Sequence, residues 1–581
     1  MTTMRPPLIA TVPLLLLLLL CCATGRLAAF TAARPTTATM HRCMFDEMMA
    51  RSDSRSVKMV QELPRKGQSA WRAYTASTGV EGTGDWEPVR IVVSKLDLDD
   101  PNKYCTQEGQ QRPTFQGYAG ECREDDVLTS RKKAELLQTI LPSAIKLHSE
   151  RLLVQRMSTS LVVPVSIRQT QCRHFTVPVE HHTNGVPDAD TVLYLAAGPS
   201  AIFAVPCVTA HKNSRPTVGA MNFYLSGVFH PWFAVRVAAH ELAHVLGFSY
   251  QQMEAKGVVR TLTTGDYASK SGMVTSTLTK KKAQEHFNCS RLEGMPLRDE
   301  YDDASRPHSH WDQRYAKDEL MGPTVATGAG FYTALTMAAF EDMGFYKANF
   351  SMAEPMRWGK DVGCEFVDEK QCRPDDHTKF PAMFCQKNYS DTMSYCTSDR
   401  VALGQCSSSW NDECLFIRSL PFGSCRNEEN TALHGSRLGA GSWCLDAESL
   451  KVNVETYDPE PMVVAVAAVC AEVACARGSV RVRYLGDNDW YDCPEGSSLS
   501  PAGTSVDFAS GKIKCPKYDE VCTITPTGRS GVTRHRGDDD ELATGDNYLS
   551  HGLHRESRCR QGPRERRRPE LPPEGTEPTM K

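Results

Sequence analysis

The chain has 581 residues, with 66 Lys and Arg against 70 Asp and Glu and a formal net charge of -4. That balance excludes the basic field a nucleic-acid binder needs, and a hydrophobic content of 40% excludes a chain too polar to bury a core. The length predicts three or four domains, and 22 cysteines predict an oxidising compartment.

Residues 1–29 read as a secretory signal. Arg5 supplies a short positive region, Leu8 to Leu20 is almost wholly apolar, and Ala23, Gly25, Ala28 and Ala29 offer small residues for cleavage. The run is short for a bilayer span, so an uncleaved anchor is the lesser alternative. Residues 30–87 are rich in Arg, Thr, Ser and Met with little periodicity, as expected of a propeptide. Its one cysteine, Cys43, lies in His41-Arg42-Cys43-Met44-Phe45-Asp46. A free thiolate there could fill the open coordination position of a zinc enzyme, or Cys43 could pair with Cys559 in the tail.

The body begins near Trp86. Val89 to Ser94 predicts a strand, Asp125 to Val154 a helix interrupted at Pro142, and Thr191–Leu195 and Val218–Leu225 two more strands. The apolar run Phe233 to Ala239 then leads into His240-Glu241-Leu242-Ala243-His244. On a helix His240 and His244 lie one turn apart on the same face, where two imidazoles can share a zinc ion. Glu241 stands beside them to handle a proton, and Gly247 falls where a left-handed helix cap is expected. Strands, a helix, more strands and a metal-bearing helix predict an α+β domain with the site below a sheet edge. This catalytic subdomain is placed at 88–249.

A central subdomain is placed at 250–367, with a helix over Phe331–Met343 closed by Gly344. Two histidines in it, His308 and His310, are candidates for a third ligand, and spacing alone does not choose between them. From 368 to 525 the cysteines become dense and short β-like runs occur at 462–466 and 480–484, so a disulfide-rich, mainly β C-terminal domain is expected. Eighteen cysteines between Cys105 and Cys522 could form nine bridges. Asn288, Asn349 and Asn388 head glycosylation sequons. Residues 526–581 are polar and charged and read as a disordered tail, with no apolar terminal segment for a membrane span or a GPI signal. The tail holds Arg536-Gly537-Asp538, a tripeptide that some adhesive proteins display.

Several longer strings narrow the reading. His240 to Phe248, Asp318-Glu319-Leu320-Met321, Gly330 to Met337, Pro381 to Cys385 and the eighteen-cysteine framework together resemble the leishmanolysin family, surface metalloproteases of trypanosomatid parasites in the metzincin group. The resemblance implies a metzincin-like fold with a long insertion between the second and third ligands. It implies one zinc ion held by His240, His244 and His310, with His308 a bystander. It implies Glu241 as the catalytic carboxylate, Met321 as the methionine beneath the ligands, and Cys43 as the inhibitory thiol of a zymogen. The function so implied is a zinc endopeptidase acting on host or extracellular proteins, a virulence-type enzyme at the surface or secreted, with membrane association left open. The alternative is a cell-adhesion or host-binding glycoprotein on the same fold.

Overall fold

A computed structural model of the chain describes residues 43–50, 57–58 and 86–532, apart from 158, 211–212, 224–230, 265–268, 299–307, 324–327, 369–374, 387–392, 410–411, 429–432, 455–461 and 477. The signal, Cys559, Asn388 and Arg536-Gly537-Asp538 all lie outside the described residues.

The part that carries the histidine helix is built on five strands. In chain order its main elements are α1 (Phe45–Ala50), β1 (Val57–Lys58), β2 (Trp86–Pro88), β3 (Ile91–Ser94), α2 (Leu141–Ser149), β4 (Leu152–Gln155), β5 (Thr191–Ala196), β6 (Phe203–Thr209), β7 (Pro216–Asn222) and α3 (Pro231–Leu246). The sheet order is β1-β6-β7-β5-β3; β3, β5 and β7 are parallel, and β6 runs antiparallel to β7. Every residue of β5 and β7 is buried, the pattern of strands covered on both faces. Strand β6 is an addition to the expected set. Pro206 argues against a strand interior; among the described residues β1 pairs with Val208 and Thr209, beyond it.

The helix expected over 125–154 is shorter and differently wound. It runs from Ser130, capped by Thr129, to Ser149, and then gives way to β4, which pairs with β2 and with Lys347–Ala348. Its middle, Leu136–Ile140, is a π turn, with the Leu141 N–H bonded to the Leu136 carbonyl five residues back. Pro142 offers no N–H and crowds the carbonyl four residues before it, and a wider turn relieves both problems.

Helix α3 lies across β6 and β7, the second and the central strand of the sheet, and not below an edge as the strand pattern led one to expect. Gly219 of β7 makes that contact close: a Cβ there would sit 2.5 Å from the Val245 Cγ1. The expected helix over 331–343 is α4 (Ala334–Asp342), capped by the Thr333 hydroxyl and ended by Gly344 at φ +72°. Just before it the Tyr332 N–H donates to Glu354 (2.8 Å), whose buried side chain pairs with Arg236 of α3 (2.6 Å) and Arg151 (3.3 Å).

The C-terminal part is β-rich, as expected, around the antiparallel strands β8 (Ser442–Val454) and β9 (Met462–Ala476) at the centre of a six-stranded sheet. Five bridges staple it: Cys385–Cys406, Cys396–Cys444, Cys425–Cys470, Cys475–Cys522 and Cys493–Cys515. Cys105–Cys122, Cys172–Cys207 and Cys289–Cys364 serve the rest. Of the eighteen cysteines, only Cys372 and the side chain of Cys414 lie outside the description.

The start of the tail is a correction to the sequence reading. Residues 526–532 are not a disordered tail but a turn packed on α3: Ile524 bridges Ser530, the Gly528 carbonyl accepts from Arg236 Nε (2.8 Å), and the Ser530 hydroxyl accepts from Arg151 (2.8 Å). Gly528 has φ +80°, and a Cβ there would meet the Trp232 carbonyl at 2.6 Å, so only glycine fits this approach. Polar composition hid a segment that is fixed by backbone contacts. Among the described residues no helix is long and apolar enough to cross a membrane.

Candidate metal centre

Helix α3 places His240 and His244 on one buried face, and His310 arrives from the loop before Trp311, which bridges Leu297. The three Nε2 atoms form a near-equilateral triangle: 3.3 Å from His240 to His244, 3.3 Å from His244 to His310 and 3.2 Å from His310 to His240. Each Nδ1 has its own oxygen acceptor. His240 donates to the Leu320 carbonyl (2.6 Å), His244 to the Phe248 carbonyl (2.7 Å), and His310 lies 3.2 Å from the Asp46 carboxylate. With the protons on Nδ1, three Nε2 lone pairs point at one another and repel unless a cation lies between them.

These spacings fit zinc. Tetrahedral bonds of about 2.0–2.1 Å put ligand nitrogens about 3.3–3.4 Å apart. Burial, then the nearby charges of His244 and His310, hold His240 well below the usual histidine pKa, so it is neutral as a ligand must be.

Beside the fourth corner of such a tetrahedron lies Cys43. Its Sγ is 3.5 Å from the His244 Nε2, and this sulfur and the three imidazoles offer ligand atoms all within 4.8 Å of one another. A zinc–sulfur bond of about 2.3 Å would give a similar S···N distance. Burial, then the Glu241 charge, push the Cys43 thiol well up, which also places the Glu241 carboxyl beside the fourth corner. A coordinated cation would reverse that shift and deprotonate the sulfur.

Helix α1, which follows Cys43, covers the site. Phe45 is fully buried and stacks flat on His244, with ring centroids 4.1 Å apart and planes 5° apart. Met48 joins the apolar cluster on the sheet that holds Tyr194, Phe203 and Val205. Asp46 accepts from the Ser309 N–H (3.0 and 3.1 Å) and faces Nδ1 of His308 (3.3 Å) and of His310. Burial opposes its ionisation, but the hydrogen bonds from His308 and His310 outweigh burial and hold its carboxyl well below the usual range. The sequence reading assigned Asp46 nothing; an acid three residues from the thiol was the available signal. His308 is no ligand atom of the cluster but grips Asp46.

Met321 is fully buried, and its neighbourhood ties the ligands by backbone. The Leu320 carbonyl takes His240, the Met321 carbonyl takes the Trp311 N–H (2.9 Å), and Trp311 Nε1 donates to Thr336 (2.8 Å). Glu319 accepts from the Met321 and Thr333 N–H groups and the Thr333 hydroxyl, yet burial pushes it up to about 7.

Of the sequons, Asn288 is exposed just past a helix end, at φ +52°. Asn349 is half-buried, with its amide donating to the Glu150 carbonyl (3.0 Å).

A family model described as leishmanolysin, peptidase M8, matches residues 41–415 and 407–528. The chain is 32% identical over 554 residues to leishmanolysin of Leishmania amazonensis, covering 86% of this chain and 89% of that protein. It is 31% identical over 497 residues to a leishmanolysin homolog of Crithidia fasciculata, covering 78% and 74%. It is 26% identical over 385 residues to a ciliated left-right organizer metallopeptidase of Danio rerio, covering 60% and 58%.

Proposed function

The chain belongs to the leishmanolysin family of zinc-dependent metalloendopeptidases, and from that premise we propose that His240, His244 and His310 hold the zinc, that Glu241 carries the proton, and that the segment up to about residue 85 keeps the enzyme latent. The observation that carries this reading is the convergence of three Nε2 atoms 3.2–3.3 Å apart, with the Cys43 sulfur 3.5 Å from one of them.

When bound, zinc supplies a Lewis acid that polarises a peptide carbonyl and acidifies water. The chain's own groups do the rest. His240, His244 and His310 supply neutral nitrogens, held in the right tautomer by Leu320, Phe248 and Asp46. Glu241 follows the first ligand on α3, close to the fourth corner but not part of the ligand triangle. Its carboxylate takes the proton of the attacking water and returns it to the leaving amine nitrogen. Glu241 is itself fully buried beside the site.

Latency follows from what α1 covers. While Cys43 stands at the fourth corner and Phe45 lies on His244, neither water nor a peptide carbonyl can enter. Removal of the segment uncovers both. The substrates are proteins, and eight bridges among the described residues support work in the secretory pathway or outside the cell. Catalytic (88–249), central (250–367) and C-terminal (368–525) parts remain the proposed division.

The test is metal content and casein cleavage of the purified full chain, before and after removal of residues up to about 85, with and without a zinc chelator. One zinc per chain, little activity before removal and chelator-sensitive activity after it are expected. A chain that binds no zinc would overturn the reading.

A further inference from the structure

The three ligands are not held alike. His240 and His244 donate to backbone carbonyls of the body, at Leu320 and Phe248. His310 has a side chain for its partner, and that side chain is Asp46 of α1, far away in sequence and attached to the body through residues 51–85. Asp46 also holds the loop next to His310, through the Ser309 N–H and the His308 Nδ1. One carboxylate thus grips three successive residues, 308, 309 and 310.

We propose that Asp46 is a positioning residue for the third zinc ligand, so that the N-terminal segment both blocks the fourth corner and holds the metal site in shape. Resting on the latent-precursor reading, this gives the segment a second task. A carboxylate behind a ligand imidazole fixes its ring and raises its basicity, and losing such a partner typically costs about 10–100-fold in metal affinity. Cutting away the segment therefore removes two things together: the sulfur that blocks the site and the acid that steadies His310. The third ligand becomes the least restrained of the three in the mature enzyme, and the precursor is the form that keeps its metal best. Phe45 and Asp46 divide the work, with the ring covering His244 and the carboxylate holding His310.

The experiment uses the full uncleaved chain as wild type, Asp46→Asn, Asp46→Glu, Phe45→Ala and Cys43→Ser. Each is loaded with zinc and mixed with an excess of a chelator that changes colour on binding it, and the rate of release is read. Amide exchange of residues 308–316 is followed by mass spectrometry in parallel. Asp46→Asn is expected to release zinc about tenfold faster than wild type and to raise exchange at 308–316, with Asp46→Glu restoring most of the loss. Phe45→Ala loosens α1 without touching His310 and is expected to change both readouts less. Wild-type release and unchanged exchange in Asp46→Asn would overturn the proposal. So would equal effects of Asp46→Asn and Phe45→Ala, because Asp46 would then only anchor the segment. Peptidase activity of uncleaved Cys43→Ser tests the other reading separately. If wild type and Cys43→Ser are equally active, latency fails, while release and exchange still decide the role of Asp46.

Discussion

Helix α3 and the loop around His310 supply the same metal site by opposite means. In α3 both proposed ligands, the proposed proton carrier and the apolar face that docks on β6 and β7 come from one continuous helix. Its geometry follows from 3.6 residues per turn. In the loop the described partner of the imidazole comes from far away in sequence. Trp311 bridges Leu297 and bonds to Met321, the His310 carbonyl accepts from the Arg298 N–H, and Asp46 holds the ring. The Tyr250 N–H also donates to the Ser309 hydroxyl (3.0 Å), so the helix carries its own geometry, whereas the loop borrows its geometry from several distant places.

Substitutions at the site should break this pairing of unlike halves in different ways. Glu241→Ala is expected to lower kcat by about 10²–10⁴-fold or more while leaving zinc bound, since the carboxylate is proposed to move a proton and not to bind the metal. Peptidase assay together with elemental analysis checks it; full activity, or loss of zinc, would sink the assignment. His310→Ala should lose zinc and activity together. His308→Ala should keep its zinc, because that ring faces Asp46 and not the triangle. A variant pair with the opposite result would move the third ligand to His308.

The same contrast explains what was legible in the sequence. His240, Glu241 and His244 could be read from spacing, because a helix turns residue number into direction. Strands β5 and β7 could be read because burial on both faces leaves a continuous apolar run. The choice of His310 over His308 needed resemblance, since two histidines two residues apart differ only in what surrounds them. Asp46, the turn at 526–532 and strand β6 were missed for a related reason. A carboxylate and a polar turn each look like surface until a partner from elsewhere satisfies them, His310 or Arg236, and a proline argues against a strand interior.

A smaller effect is expected behind α3. Glu354 is ionised in a buried site because Arg236 and Arg151 outweigh the cost of burial. Breaking a buried pair by removing one partner typically costs about 3–5 kcal/mol. Glu354→Gln should therefore fall near that range, since it strands two guanidinium groups, while Arg236→Met leaves Glu354 with Arg151 and should cost less. The midpoint of thermal unfolding measures the order. If Arg236→Met proves the more damaging, the anchoring of α3 to Gly528 and Gly330 matters more than the charge pair.

The gentlest test lies under the loop. Glu319 is buried between the Met321 turn and the start of α4, and burial pushes it up to about 7, against donors at Thr336, Met321 and Thr333. A carboxyl with a folded pKa above its unfolded value binds its proton more tightly when folded. Its stabilising contribution is therefore fully present below the unfolded value, near 4.5, and is lost as pH rises to about 7. The loss is on the order of 3 kcal/mol at most, from the size of that shift. Glu319→Gln keeps the shape and cannot ionise, so it should flatten this fall in stability between pH 4.5 and 7. Unfolding midpoints measured across that window in both forms check it. An unchanged slope would mean that the four donors hold Glu319 ionised throughout. The Met321 turn would then be tied by a permanent charge, as His310 is tied by Asp46.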